Sequence, residues 1–407
     1  MSVQETQTPP PQAPAGVPDF NAETYPFQVV VENLNRAAFF HLYSVPECAA
    51  HALEGGMHFT LRLHRFETEL QLPGQSPEVR AGNRIGEPLA RIEFRCKFIE
   101  DRYVARPGEE PPEAHYGHGT SGRFVLLDCC CRFDSGDWFR GFGTGSFLAG
   151  AGEPSAGAIG TILEGHGRFT GLSGVFTLAG TLDPGAGFRG SLMIRVSDPR
   201  GVFGEARSLP GFRLSSSTLV ESGITYLFFR GQKLDETQKT VFIQNESGGI
   251  AGLVVEQPIR LMTVDTAHGY RGLGATFSVG GIVGSMTSRV QIDLTNLNAP
   301  SSNEAPAPFI ATNTFRFFDA DGELIGAIDT DHGEGRSFPL TLEGIPRQPA
   351  LRFGAVQPVV RGTGWFEGVE GMLADNSAVG IAPHALTTQY VLRLKDPSGK
   401  FRTRMEC

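Results

Sequence analysis

The sequence predicts an all-β protein written as two similar halves, and three observations carry that expectation. First, 52 glycines and 27 prolines among 407 residues fall between short apolar runs, the pattern of many turns joining strands. Second, the runs alternate with period two. In "MHFTLRLHRFETELQL", Phe59, Leu61 and Leu63 alternate with His58, Thr60, Arg62 and His64, as they do when successive strand residues point to opposite faces. Third, one ten-residue pattern, G-x-G-x-F-x-G-x-x-G, occurs twice, as "GHGRFTGLSG" at 165–174 and "GTGWFEGVEG" at 362–371.

Taken in order, residues 1–24 are rich in Pro, Gln and Thr and too poor in large apolar groups to order themselves, so a disordered tail is expected. Strands are expected at "PFQVVVENL", "MHFTLRLHRFETELQL", "RIEFRCKFIE", "GRFVLLDCCCRF" and "GSLMIRVSD". The stretch with helical spacing is "VPECAAHALEGG". The glycine decamers belong to a longer repeat. The first is followed by "GFRGSLMIRVSDPRGVF" and the second by "TTQYVLRLKDPSGKF". The decamers are offset by 197 residues and the Asp198-Pro199 and Asp396-Pro397 pairs by 198. Upstream, "CRFDSGDWFRGFG" from Cys131 matches "FRFFDADGELIG" from Phe315: each is an aromatic strand that reaches an Asp/Gly turn and re-emerges as a hairpin does. This order reads as a tandem duplication of domains at about 25–205 and 220–405. The stretch near 205–222 is the join, and "NLNAPSSNEAPAPF" is an exposed insertion in the second domain.

Glycine within strands is costly unless the backbone must bend or approach something closely. Alternate glycines around an aromatic suit a sharply coiled hairpin at a sheet corner, with the aromatic sealing the end. A phosphate cradle would need a helix N-terminus after the G-x-G, and a strand follows each copy instead.

A net charge of -9 and the lack of any Lys/Arg-rich run argue against nucleic acid and acidic membrane partners. No apolar run approaches the ~20 residues of a membrane span. The N-terminus has neither the basic start nor the apolar core of a signal peptide. The six cysteines, three of them consecutive at Cys129, Cys130 and Cys131, suit neither a disulfide framework nor a zinc site. A soluble protein of a reducing, cytoplasmic compartment is the expectation.

Candidate chemistry rests on polar groups in strands. A carboxylate on an inward face gains a raised pKa and can move protons; Glu32, Glu69 and Glu93 are the candidates. His41 and Tyr43 stand together in "AAFFHLYS", where a histidine can exchange a proton near neutral pH. His58, Arg62 and His64 line one face of their strand, and Trp138 and Trp365 sit at the repeated turns, placed to stack on a ligand or to cap a core. His115 and His118 in "HYGHG" lack a third ligand at a familiar spacing. "DADGE" at 319–323 lacks the acidic residue that would close a calcium loop.

The stretch "VVRGTGWFEGVEGMLADNSAVGIAPHALTTQYVLRLKDP" resembles the C-terminal hairpins of the allene oxide cyclase and dirigent superfamily, whose members carry the G-x-G-x-F-x-G-x-x-G signature. "GTILEGHGRFTGLSGVFTLAGTL" carries the same signature in the first half. The resemblance covers about forty residues of each half. It implies two tandem antiparallel eight-stranded, calycin-like barrels, and a fused pair that acts as a built-in dimer; a homodimer and a monomer with internally paired barrels are both open. It also implies a cofactor-independent cyclase or isomerase of secondary metabolism, which folds a reactive, mostly apolar intermediate for ring closure. The family places a Glu and an Asn at alternate positions of the first strand. Here Glu32, Asn33 and Asn35 are present without that spacing. Taken together with the residues read above, the expected catalytic set is Glu32, Asn35, His41 and Tyr43, with His58, Arg62, His64, Glu93, Trp138 and Trp365 around a small hydrophobic molecule. The alternative is a scaffold or hydrophobic-ligand carrier with no catalysis, its interior crowded by some of the 30 phenylalanines.

Overall fold

The alternating runs become strands. A computed structural model describes residues 35–44, 51–53, 56–67, 84–99, 102–103, 122–133, 136–148, 155–183, 187–197, 223–231, 239–244, 246, 250–265, 276–291, 307–340, 350–380 and 385–396. The first half contributes Asn35–Ser44 (β1), His51–Leu53 (β2), Gly56–Glu67 (β3), Arg84–Ile99 (β4), Arg102–Tyr103 (β5), Gly122–Phe133 (β6), Trp138–Leu148 (β7), Ser155–His166 (β8), Ser173–Asp183 (β9) and Gly187–Ser197 (β10). The second contributes Gly223–Gly231 (β11), Lys239–Gln244 (β12), Ile250–Asp265 (β13), Thr276–Gln291 (β14), Ala307–Phe318 (β15), Leu324–Leu340 (β16), Ala350–Gly364 (β17), Glu370–Gly380 (β18) and Ala385–Asp396 (β19). The protein is all-β, and one 3-10 turn, Gly167–Phe169, interrupts the strands among the described residues. His51–Leu53, inside the stretch with helical spacing, is the short strand β2. The Pro-rich tail lies outside the described residues.

Two large sheets form. The first runs β1-β10-β9-β8-β7-β6-β4-β3-β2, and β1 also pairs with β3, so the order returns on itself. The second runs β12-β13-β11-β19-β18-β17-β16-β15-β14-β5 with β13 also on β14. Among the described residues the pairings are antiparallel except one: β5, from the first half of the chain, joins the second sheet parallel to β14.

Register shows how closely the halves repeat. Phe139 pairs with Gly165 where Ile328 pairs with Gly362, and Val175 pairs with Arg195 where Met372 pairs with Arg393. A register shift follows Arg140 in β7 and Asp329 in β16, the same place in each sheet. Just before it, Arg140 faces Glu164 at 4.0 Å in one sheet, and Asp329 faces Arg361 at 3.3 Å in the other. The ion pair is kept and its polarity is reversed.

The glycine decamers build one corner twice. The chain turns between β8 and β9, and between β17 and β18, with φ of 65° and 85° at Gly167 and Gly171, and 61° and 80° at Gly364 and Gly368. Only glycine adopts these values without strain. Leu172 N–H donates to the Phe169 carbonyl at 2.9 Å, and Val369 N–H to that of Phe366 at 3.1 Å. The aromatic at the centre turns inward: Phe169 packs edge-on to Phe139, and Phe366 meets Phe317 with centroids 4.5 Å apart. Both are buried. At Gly362 a Cβ would lie 1.9 Å from the Phe366 carbonyl oxygen, and at Gly165 2.1 Å from that of Phe169. Because that oxygen belongs to the corner's own backbone, Gly362→Ala is expected to destabilise by about 3 kcal/mol or more, the upper range of overpacking. Chemical denaturation measures it.

Candidate functional site

The inner face of the second sheet is layered. At the glycine corner, Leu227, Phe229, Ile259, Phe315, Phe317 and Phe366 form an apolar base with their neighbours. At the far end Leu253, Val255, Val290, Phe309, Ala311 and Phe353 form a second apolar cluster. Between them lies a belt of buried polar side chains: Gln257 from β13, Asn313 from β15, Thr330 from β16, Gln357 from β17, Asp375 from β18 and Tyr390 from β19. The period-two alternation that places Leu373 and Leu392 in the core also places Asp375 and Tyr390 there.

The belt is hydrogen-bonded. Thr330 Oγ1 donates to Gln357 Oε1. Gln357 Nε2 donates to Asp375 Oδ2 at 3.1 Å, and Gln257 Nε2 donates to the Tyr390 hydroxyl. A cavity of about 40 Å³ opens beside it, lined by Asp375, Tyr390, Gln257, Ser288, Ser377, Thr388 and the far apolar cluster. Asp375 and Tyr390 are both buried, at 7% and 2% exposure, and both line the cavity. Burial pushes the Asp375 carboxyl up to about 7, opposed by the Asn313 amide, the Ala355 backbone and Gln357. Burial, and then the neighbouring Asp375, raise the Tyr390 phenol well above its usual range. A carboxyl tuned to neutral pH beside a phenol is a proton donor and acceptor pair in an apolar setting.

The first sheet lacks this belt at every aligned position. Register sets Gln257 against Leu61, Ser288 against Phe94, Asn313 against Cys129 and Thr330 against Gly141. Gln357, Asp375 and Tyr390 align with Gly160, Leu178 and Leu192. Phe94 is buried where the second sheet has the small Ser288, and the Phe176 ring fills the space at Gly160, 2.4 Å from where a Cβ would stand.

The backs of the strands that carry the belt press on the first sheet. Arg352, next to Phe353 in β17, is fully buried and gives all five of its N–H groups. Nε and Nη2 donate to Ser155 Oγ at 3.2 Å each, Nη1 to Ser146 Oγ at 3.3 Å and Asn376 Oδ1 at 2.8 Å, and Nη2 also to the Ser146 carbonyl at 3.5 Å. Burial lowers its pKa to about 9, which leaves it charged at neutral pH. Asn376, the residue after Asp375, donates to Thr177 Oγ1 at 3.2 Å and to the Leu178 carbonyl at 2.8 Å. Arg393 Nη2 donates to Ser173 Oγ at 2.9 Å. The first half thus holds the outer face of the strand whose inner face bears the carboxyl.

The residues expected from sequence fall elsewhere. Glu32, Glu69, His115 and His118 lie outside the described residues. Asn35, His41 and Tyr43 are in β1, and His58, Arg62 and His64 in β3. Pairing sets His41 opposite His64 and Tyr43 opposite Arg62, so these four positions are brought together. His41 also pairs with Ser191, in the row that alternates with the core residue Leu192. The same parity holds in β4: Ile92 and Phe94 are in the core and Glu93, half-buried between them, is on the opposite face. Trp138 is half-buried and stacks on His166, centroids 5.7 Å apart. Trp365 packs against the apolar base. Both tryptophans stand at the glycine corners and neither lines the cavity.

Asp375, Tyr390, Gln257 and Gln357 were missed, although a signal existed: superposing the halves at offsets of 197 and 198 puts Asp375 on Leu178 and Tyr390 on Leu192. Among the described residues, no group of His, Cys, Asp and Glu could hold a metal ion, and no helix is long and apolar enough to cross a membrane. Comparison with protein-family models, curated proteins and solved structures returns no match for this chain.

Proposed function

We propose that the two closed sheets are tandem eight-stranded barrels of allene oxide cyclase and dirigent type, and that the second barrel is the working one. In this reading the chain is a cofactor-independent cyclase or isomerase acting on a small, mostly apolar molecule. The observation that supports it most is a single carboxyl with a neutral-range pKa, set beside Tyr390 at the polar floor of an apolar-rimmed cavity. Asp375 is assigned the proton transfer, Tyr390 the orientation of an oxygen or nitrogen on the substrate, and the Phe309–Phe353 end the exclusion of water. Conformational restraint supplies the rest of the rate.

The cavity of about 40 Å³ is small against the roughly 300 Å³ of ordinary ligand pockets, so it accepts the reacting end of a molecule whose apolar remainder lies at the rim. That size also favours a second reading, a carrier or dirigent-like scaffold that binds without turnover. The test offers the purified full chain reactive epoxide and quinone-methide probes, and follows product handedness and rate. Ring closure faster than in buffer, with one hand in excess and lost in Asp375→Asn, supports the enzyme. Binding without acceleration supports the carrier, and buffer-like products without binding overturn both.

A further inference from the structure

The charge around the cavity has one sign. Of its lining residues, Asp375 and Tyr390 are the titratable ones, and no Lys, Arg or His is among them. Gln257 is 2% exposed, and while its Nε2 serves the Tyr390 hydroxyl, its Oε1 has no hydrogen-bond partner. Ser288, Ser377 and Thr388 add hydroxyl oxygens. At the apolar end the rings of Phe309 and Phe353 meet edge to face, centroids 5.3 Å apart. A buried acceptor without a donor is costly.

We infer that this cavity takes the ammonium end of a small apolar amine, with Asp375 as its counter-ion and the hydroxyls of Ser288, Ser377 and Thr388 as further acceptors. The space fits: about 40 Å³ admits on the order of two or three water-sized groups, which suits a –CH2–NH3+ end. Its three N–H donors answer acceptors the lining already holds. The tail lies along Phe309 and Phe353, whose ring faces also attract a cation. A carboxylate or phosphate would meet Asp375 with no positive group to offset it. A neutral alcohol offers the carboxyl one donor and no charge. The chain's net charge of -9 raises the local concentration of cations rather than anions. The inference rests on the second barrel being the site and names what it binds.

The assignment carries a pH signature. Asp375 meets Asn313 from β15 and Gln357 from β17 and lies beside Tyr390 from β19, of which only Tyr390 titrates. The ion pair needs Asp375 ionised and the amine protonated, so affinity rises with pH through the carboxyl's range and falls above the amine's pKa of about 10.

Calorimetric titration of the full chain with butylamine, and with butanol as the uncharged isostere, at pH about 5.5 and about 8.5 tests it. Amine affinity is expected to rise roughly tenfold or more between the two, to exceed that of butanol by a similar factor, and to vanish in Asp375→Asn. Ser288→Phe, which restores the residue at the aligned position of the first sheet, is expected to abolish binding while keeping the fold. Butanol binding as tightly as butylamine, blocked by Ser288→Phe, would overturn the amine and leave the cavity as the site. Neither binding to a folded chain, by circular dichroism, would overturn both.

Discussion

Asp375→Asn removes a fall in stability that the wild-type chain shows between about pH 4 and pH 7. The carboxyl titrates at 3.8 when exposed and near 7 when folded, so across that window the folded state binds more protons than the unfolded. Stability therefore declines as pH rises from the first value to the second and is level beyond it. A difference of about three pKa units corresponds to roughly 4 kcal/mol at most. Asparagine keeps the shape and can still accept from Gln357, but has no proton to lose. Subtracting the two denaturation profiles cancels every other titrating group, so the variant gains on the wild type through the window. A difference curve that is flat with pH would show that the carboxyl is not held in its apolar surroundings.

Phe366→Ala and Phe169→Ala are each expected to cost about 3–5 kcal/mol, the usual loss for a buried phenylalanine. Each ring closes the base of its own sheet, and Phe366 also holds Phe317. The pair asks a further question, whether the halves unfold together. Arg352, Asn376 and Arg393 tie the second sheet to Ser146, Ser155, Ser173 and Thr177 of the first through buried hydrogen bonds. With that junction closed, either variant lowers one shared transition. Two separate transitions, each moved by one variant only, would mean that the junction does not couple the halves.

Much of the architecture was readable because it depends on period and spacing. Alternation marked β3 and β4, and the repeated glycines located both corners. Cys131 and Phe315, which open the matching upstream stretches, occupy the same register position opposite Phe139 and Ile328. The site was less readable, because alternation tells which residues share a face but not which face is inward. His58, Arg62 and His64 alternate with Phe59, Leu61 and Leu63 along β3. In β4, which pairs with β3, the core row is that of Ile92 and Phe94, and Glu93 belongs to the other. The polar belt was hidden for a different reason. Asp375 and Asn376 are adjacent polar residues that face opposite ways, one toward the cavity and one toward the other half. Nothing in "MLADNSAVG" separates the two roles. Arg352 was equally opaque, since a fully buried cation is held by five donors whose acceptors come from residues about 200 positions away and from Asn376.

The reversed ion pairs bear on how such a chain avoids tangling. Two halves with the same strand order and the same corners invite each β8-like strand to pair with the wrong neighbour while the protein is being made. A strand exchange that set Glu164 beside Asp329 would place two carboxylates together, and the reciprocal one would place Arg140 beside Arg361. The bridges at 4.0 and 3.3 Å add little stability where they stand. Their opposite polarity means that either exchange would replace an attraction with a like-charge contact, which disfavours the mispaired arrangement over the native one.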